Sequence, residues 1–349
     1  MLKDMKLFKF LSVFSAGALA LLMTTSCENK EVEFPDFEYT TVYFPYQFPV
    51  RTIVLGEDIF DNTLDNEHKL KIYATMGGVY ENNKNIEIDI AVDDALTSNL
   101  FFEDESAVQP MPADYYSLAE QTISLSGELQ GGVDVQLSDA FFADENAISN
   151  TYVIPLRMTG VSNADSILDG TPLVDNPVRT NVADWEVQPK DFVLYAVRFI
   201  NPWHANYLRR GEDIITENGE TTTIVRHEEY VEDDEVVSLH TSSLNSVIFP
   251  VQTTVMQGEE QVTLTCELVL TFDENNECSI VSGTEGYTAS GSGQFVKDGD
   301  KNSWGDEDRN ALYLDYEVDF GTKQYQTKDT LVVRDRGVKI ETFNPTYTE

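Results

Sequence analysis

Hydrophobic and polar residues alternate in short segments along most of the chain, and turn residues separate these segments. The clearest case is residues 86–92, IEIDIAV, where the isoleucines point to one side and the acidic residues to the other. An alternation of period two is typical of a half-buried β-strand. Glycine pairs such as Gly77-Gly78 and Gly131-Gly132 mark turns, and long helical periodicity is absent. The pattern predicts an all-β protein.

The first half of the chain has the strand density of a β-sandwich. Predicted strands cover residues 41–47, 50–57, 69–75, 86–92, 122–125, 132–137 and 151–159. An immunoglobulin-like β-sandwich is therefore expected over residues 37–162. Residues 163–190 are rich in aspartate, glycine and proline, which predicts a linker, although Trp185 is expected to pack.

The second half begins with residues 192–200, FVLYAVRFI, which are apolar on both faces and predict a strand covered on both sides. Long strands joined by tight turns follow, which favours an up-and-down antiparallel β-barrel. They are predicted at 224–231, 235–240, 246–254, 261–272, 278–282, 287–296, 311–320, 323–326 and 330–334. The barrel is therefore expected over residues 191–349.

The N-terminus has the pattern of an export signal. Lys3, Lys6 and Lys9 precede an apolar run at Phe10–Met23, which is shorter than the roughly 20 residues of a membrane-spanning helix. Small residues then lead to Cys27, and this arrangement resembles the bacterial lipobox, whose cysteine is lipidated. Residues 1–26 are therefore predicted to be a lipoprotein signal peptide and Cys27 the lipid-bearing residue.

The charged residues indicate where the protein is located and which classes of partner it can bind. Residues 27–36 form an acidic tether, which indicates an outer-membrane lipoprotein exposed at the cell surface. The formal net charge of −38 repels phosphate backbones, so nucleic acid is excluded as a partner and a neutral ligand is favoured. No second apolar run is long enough to span a bilayer. Membrane attachment is therefore expected through the lipid anchor only.

Two stretches carry a family resemblance. MPADYYSL (111–118), TISLSGELQGGVDVQL (122–137) and TYVIPLRMTGVS (151–162) resemble the DUF1735-like N-terminal domain of Bacteroidetes surface lipoproteins. DFVLYAVRFINPWHANYLRRG (191–211) and TLVVRDRG (330–337) resemble their lipocalin-like, DUF5627-like C-terminal domain. Such lipoproteins are typically encoded beside SusC/SusD-type importers. The resemblance implies polysaccharide utilization, with surface capture of neutral oligosaccharide for a neighbouring importer complex.

The sequence does not nominate a catalytic site or a cofactor. The D-x-x-D-x-D-x-E signature of family-18 glycosidases is absent, and so is the G-x-S-x-G motif of serine hydrolases. The four histidines lack metal-ligand spacing. We therefore expect a binding protein rather than an enzyme, with an unrecognised glycosidase as the minor alternative.

Tryptophans supply the first candidate binding residues, because sugar rings stack on aromatic faces. Trp304 lies in a polar turn and is either a glycan platform or a cap on the barrel end. Trp203 shares its segment with Tyr207, Arg209 and Arg210, which could hydrogen-bond sugar hydroxyls or pair with carboxylates. In lipocalin-like barrels, a tryptophan at this place often stacks under an arginine from the last strand, here Arg334 or Arg336.

The DGDKNSWGD turn weakly imitates a calcium loop. Asp298, Asp300, Asn302 and Asp306 occupy ligand positions, but serine replaces the usual glycine and Arg309 replaces the closing glutamate. A polar hairpin turn is the favoured interpretation.

The two cysteines of the barrel region, Cys266 and Cys278, are compatible with either a disulfide or two buried thiols.

Two alternatives to glycan capture remain open. One is a structural, adhesion or scaffold protein that binds protein partners. The other is a protein that binds a small apolar molecule inside the barrel; an interior filled by large side chains would exclude it.

Overall fold

The computed structural model describes Phe37 and residues 39–348. The predicted signal peptide, Cys27 and the acidic tether of residues 27–36 lie outside the described residues. From Tyr39 onward the chain forms one compact unit. The predicted all-β fold, with an N-terminal sandwich and a C-terminal antiparallel barrel, is confirmed. Within the described range, no helix has the length and apolar character needed to cross a bilayer.

The strands are numbered in chain order. Those before the barrel are β1 (Thr41–Tyr43), β2 (Pro49–Val54), β3 (Lys69–Gly77), β4 (Asn85–Val92), β5 (Leu100–Phe101), β6 (Gln109–Pro110), β7 (Tyr116–Leu118), β8 (Thr122–Ser126), β9 (Gln130–Leu137), β10 (Tyr152–Ser162), β11 (Ser166–Ile167), β12 (Thr171–Pro172), β13 (Trp185–Val187) and β14 (Phe192–Ile200). Those that follow are β15 (Ala205–Glu217), β16 (Glu220–Arg226), β17 (Glu235–Ser243), β18 (Ser246–Gln257), β19 (Glu260–Phe272), β20 (Glu277–Ser282), β21 (Thr288–Asp300), β22 (Arg309–Asp319), β23 (Lys323–Asp335), β24 (Glu341–Thr342) and β25 (Thr346–Tyr347).

Among residues 39–348, helical structure is limited to single turns. The α-helical turns are α1 (Thr63–Asn66) and α2 (Asp139–Ala143), and 3₁₀ turns occur at Asp94–Thr97, Glu145–Ile148, Val182–Asp184, Val231–Asp233 and Trp304–Asp306.

Two sheets form the sandwich, in the orders β11-β1-β3-β9-β7 and β24-β2-β14-β10-β4-β8. Alternate residues of β3 and β4, among them Ile72 and Ile88, are buried between the sheets. The pairing is mixed, since β1 runs parallel to β11 and β2 runs parallel to β14.

Strand β14 corrects the predicted domain boundary. It pairs antiparallel with β10 and parallel with β2, so it lies in the sandwich sheet and not in the barrel. One face of β14, including Val197, packs into the sandwich core. The other face, including Leu194, packs under a second apolar layer on the outer side of the sheet. Burial on both faces explains the continuous apolar run.

The segment 163–190, predicted as a linker, is folded against the sandwich. β11 extends the first sheet, and β12 pairs with β13 as a small hairpin. Trp185 is buried as expected, and its indole N–H donates to the Val178 carbonyl at 2.9 Å. The segment is therefore an integral part of the domain.

Eight strands, β15 and β17 to β23, form the barrel, and pairing between β15 and β23 closes it. Large buried side chains, including Tyr207, Phe249 and Tyr316, fill its interior. An eight-stranded barrel that binds a small molecule leaves part of its interior free of side chains for the ligand. The structure therefore does not support the small apolar ligand alternative.

The last residues return to the sandwich, although the sequence placed them in the barrel. β24 pairs with β2, and β25 pairs with β5. Between them Phe343 is buried on the outer side of the second sheet. In the sequence, the barrel therefore lies between two segments that both belong to the sandwich.

Candidate functional site

Two of the predicted binding residues are interior structural groups. Trp203 stacks on Phe272 with ring centroids 4.1 Å apart, and its N–H donates to Asn276 at 3.2 Å. Tyr207 has no exposed surface, its hydroxyl donates to the Trp203 carbonyl at 2.7 Å, and burial raises its pKa. Neither side chain is open to a ligand from outside, which favours the structural alternative for Trp203 and leaves a binding role for Tyr207 unsupported.

The two arginines on the same strand are paired with carboxylates. Arg209 contacts Asp329 at 2.9 Å and also donates to the Tyr316 hydroxyl. Arg210 pairs with the buried side chain of Asp234. These ion pairs occupy the guanidinium groups, which leaves the predicted contacts with sugar hydroxyls unsupported.

Arg336 has a different role from the expected stacking on Trp203. It is 7% exposed, and its guanidinium donates to the carbonyls of four residues. The acceptors are Leu55, Glu57, Asn201 and His204, at 2.7–3.1 Å. Leu55 and Glu57 follow β2 of the sandwich, and His204 precedes the first barrel strand. Arg336 therefore joins the end of the barrel to the sandwich.

Trp304 is half-buried and packed rather than presented as an open platform. The guanidinium of Arg309 lies 3.6 Å from the centre of its ring, and its N–H donates to the Val333 carbonyl. One ring face is therefore already occupied, which removes Trp304 from first place among the glycan contacts.

The calcium candidate is not supported. Asp300 accepts from the Ser303 hydroxyl, and the Asn302 backbone N–H donates to Asp308. No group of three or more His, Cys, Asp or Glu side chains converges on a metal site in the described part of the chain. Residues 298–308 are a polar hairpin turn organised by Asp308.

Both barrel cysteines are buried free thiols. Cys266 lies opposite Val251, whereas Cys278 lies between Phe272 and Gly293. Burial raises the pKa of Cys278 to about 12, so the reactive thiolate is disfavoured. The structure thus settles the open alternative in favour of two thiols.

A cleft of about 1080 Å³ between sandwich and barrel is the strongest candidate for a binding site. The sandwich contributes β2, Tyr195 of β14 and the loop that leads from β2 to α1. The barrel contributes the end of the β21–β22 hairpin and the segment that follows β23.

An ion pair between a partly exposed arginine and a buried carboxylate lies in the lining of the cleft. Arg51 contacts Asp65, which also accepts the Val54 backbone N–H at 2.9 Å. Burial raises the pKa of Asp65, although Arg51 and the N–H act in the opposite direction. Because both partners belong to β2, we assign the Asp65 carboxylate to anchoring α1 against that strand. Tyr195 lies beside this pair, and burial raises its pKa too.

Exposed apolar side chains line the rim of the cleft. Ile59 is 83% exposed, Phe60 is 74% exposed and Ile340 is fully exposed, with Tyr46 nearby on the same surface. Clustered apolar exposure of this kind marks binding surfaces, whereas scattered apolar residues are ordinary.

Two basic side chains on the barrel side are loosely held. Arg334 is 3.7 Å from Asp335, and Lys339 is 3.9 Å from Glu341. Both basic groups are more than half exposed, so their pairing contributes little and can be exchanged for a ligand. The cleft therefore combines apolar contact surface with hydrogen-bonding groups that face it.

Sequence reasoning missed this site because its residues come from distant segments. Two local signals were present. An Ile59-Phe60 pair interrupts an acidic loop, and the RDRGVK run (334–339) concentrates basic residues in a strongly acidic chain. Neither signal shows that the two segments face each other.

Two family models and a solved structure of high sequence identity match this chain. The chain is similar to the crystal structure of a protein of unknown function from Bacteroides ovatus, with 47% identity and a TM-score of 0.85, over 89% of this chain and 100% of that one. The family model of a domain of unknown function, DUF5627, matches residues 202–337, and a model described as an N-terminal domain matches residues 37–165.

A second solved structure is much more distant. It is described as an auxiliary nutrient binding protein from Bacteroides thetaiotaomicron, and it has 13% identity and a TM-score of 0.33 over 84% of this chain and 95% of that one. A likeness of this size carries no argument about fold or function. A search of proteins with curated functions returned no match.

Proposed function

Since the chain belongs to the DUF5627-containing family that includes the Bacteroides ovatus protein, we propose that it is a surface-anchored glycan-binding lipoprotein. It binds neutral oligosaccharide in the cleft between sandwich and barrel and holds it for a neighbouring outer-membrane importer of the SusC/SusD type. The observation that carries the proposal is the cleft itself, where exposed apolar side chains and loosely paired charges share one concave surface.

The chemistry of the cleft suits sugars. A sugar ring presents an apolar C–H face, which Phe60 and Tyr46 can cover, and a girdle of hydroxyls, which Arg334 and Lys339 can bind. The net charge of −38 disfavours a strongly anionic polysaccharide.

Calorimetry with the mature protein against a panel of neutral oligosaccharides tests the site. Phe60→Ala is expected to weaken binding about fivefold to tenfold, since it removes one aromatic contact and little else. Tyr73→Ala is the matched control, because Tyr73 is exposed on strand β3 and does not line the cleft. The absence of binding heat with every glycan would count against the proposal. Equal loss of affinity in Phe60→Ala and Tyr73→Ala would show that the glycan binds outside this cleft.

The anchor is a separate part of the proposal. The lipobox-like sequence supports lipidation of Cys27 and outer-membrane attachment with the body outward. Cys27→Ser is expected to move the protein from the membrane fraction to the soluble fraction. Retention of the variant in the membrane would contradict a lipid anchor at this residue.

The proposed activity is binding without turnover. Incubation of the protein with labelled glycans is expected to release no shortened product. Product formation would favour the glycosidase alternative.

A protein partner is the second candidate function, and the apolar rim of Ile59, Phe60 and Ile340 favours it. Capture of the importer complex in the absence of glycan, abolished by Phe60→Ala, would support a scaffold role instead of glycan capture.

A further inference from the structure

A second concave surface lies on the outer wall of the barrel. It is a groove of about 570 Å³ that crosses β20 to β23. Its outward-facing side chains are polar and arranged in rows across the strands. In one row, Tyr313 lies between Gln294 and Thr330; in the next, Asp315 lies between Ser292 and Lys328.

Tyr313 gives this groove a fixed aromatic surface. Its hydroxyl donates to the Gly299 carbonyl at 3.0 Å, and its side chain is 38% exposed. The hydrogen bond restrains the orientation of the ring, so little conformational entropy is lost when a ligand packs against it. A restrained ring beside hydrogen-bonding side chains suits a sugar.

The polar groups beside Tyr313 are available to a ligand. Asp315 and Lys328 are 3.6 Å apart, and both side chains are more than two thirds exposed. A surface pair of this kind contributes little stability, so ligand hydroxyls can replace it at small cost. Glu277 and Asp315 outnumber Lys328, which again favours a neutral ligand over an anionic one.

The groove adjoins the cleft along three strands. Arg309 and Arg334 line the cleft, whereas Tyr313 and Thr330 line the groove four residues away on the same face of β22 and β23. At about 3.3 Å per residue, these positions of the two surfaces are roughly 13 Å apart. On β21, the Gly299 carbonyl that holds Tyr313 is next to Asp298 of the cleft.

We propose that the cleft and the groove form one continuous track, which takes an extended linear neutral polysaccharide rather than a short oligosaccharide. The inference rests on the proposed function and deepens it by naming the length of the ligand. The cleft binds one stretch of the chain, and the groove binds the adjoining stretch through Tyr313 and the polar rows. Linked contacts of this kind raise affinity with ligand length.

The test compares short and long ligands of the same linkage. Size-fractionated oligosaccharides of three and nine units from laminarin, arabinoxylan, mannan and inulin are titrated into the mature protein by calorimetry. The nine-unit ligand of the recognised glycan is expected to bind at least tenfold more tightly than the three-unit ligand.

Variants separate the two parts of the track. Tyr313→Ala is expected to remove most of the gain from length and to leave affinity for the three-unit ligand unchanged. Lys328→Ala, at a highly exposed position that does not threaten folding, is expected to reduce the gain about threefold. Phe60→Ala should weaken both ligands, and Tyr73→Ala should weaken neither.

The experiment distinguishes a failure of the track from a failure of the cleft proposal. Equal affinities for three and nine units, or a length gain that survives both Tyr313→Ala and Lys328→Ala, would overturn the track and leave the cleft proposal standing. No binding of any glycan would overturn both.

Discussion

His204 is a titratable side chain at the junction of sandwich and barrel. Its Nδ1 accepts the Thr241 backbone N–H at 3.0 Å, which requires that nitrogen to be unprotonated. Burial, together with the nearby His240, Arg336 and Arg198, lowers the pKa of His204 to about 4. The neutral imidazole is therefore part of the folded structure.

The protein is expected to lose stability through His204 as the pH falls. The unfolded chain takes up the proton near pH 6.5, whereas the folded chain resists it to about pH 4, so the loss develops between these values. The pKa difference corresponds to about 3 kcal/mol in the free energy of unfolding. Urea unfolding from pH 7 to pH 4 measures it.

His204→Asn is the matched variant for this experiment, because its amide oxygen can replace Nδ1 as the acceptor for Thr241. The variant should lose less stability than the wild type over the same range. Parallel curves for the two proteins would show that carboxylates alone cause the acid sensitivity.

At the residue scale, the sequence offered a binding role and a structural role for the same residues, and the structure favours the structural one. Tryptophan and arginine are common in binding sites, but Trp203, Arg209 and Arg210 all have partners from other segments of the chain. Sequence spacing does not show which carboxylate or ring closes on such a group. The side chains that remained unpartnered, such as Phe60, were in a loop with no recognisable motif.

Strand β21 shows how one element is shaped by its neighbours. A Cβ added at Gly293 would lie 2.5 Å from both the Tyr313 carbonyl oxygen and Leu314 Cδ2, and 3.0 Å from Cys278 Sγ. Gly293→Ala is therefore expected to destabilise the protein by about 1–3 kcal/mol through overpacking. Thermal or denaturant unfolding checks the value. Ser290→Ala, three strand positions away and exposed, should change stability by less than about 0.5 kcal/mol.

Strand prediction worked where one face of a strand meets water. Residues 86–92 were expected as a strand, and the structure has Asn85–Val92. The alternation predicts such a strand because one of its faces meets water and the other packs in the apolar core. For β14 the alternation is missing, since a second apolar layer covers its outer face. The sequence therefore predicted a strand there but gave no indication of which sheet it joins.

At the scale of the whole molecule, the chain path couples the two parts. β14 ends at Ile200 and the first barrel strand begins at Ala205, so only four residues connect them. Asn201 is fully buried in this connection and donates to the carbonyls of Ser243 and Ser246 in the barrel. After the barrel, the chain returns to pair with β2. Sequence reasoning expected two domains and a linker, because such returns depend on pairings remote in sequence.

The coupling predicts that sandwich and barrel unfold together. Calorimetry of the mature protein should show a single cooperative transition, with equal calorimetric and van't Hoff enthalpies. Arg336→Met keeps the apolar stem of the side chain but leaves four carbonyls without their donor. An unsatisfied buried acceptor costs about 1–3 kcal/mol, so this variant should lower stability by several kcal/mol and resolve two transitions.

The control for that comparison is Arg334→Met, two residues earlier and largely exposed, which should leave a single transition at nearly the wild-type temperature. Two transitions in the wild type would show that Arg336 does not couple the domains. If Arg336→Met lowered the temperature of one undivided transition, the guanidinium would stabilise the junction while the short connection and the returning tail sustain the cooperativity.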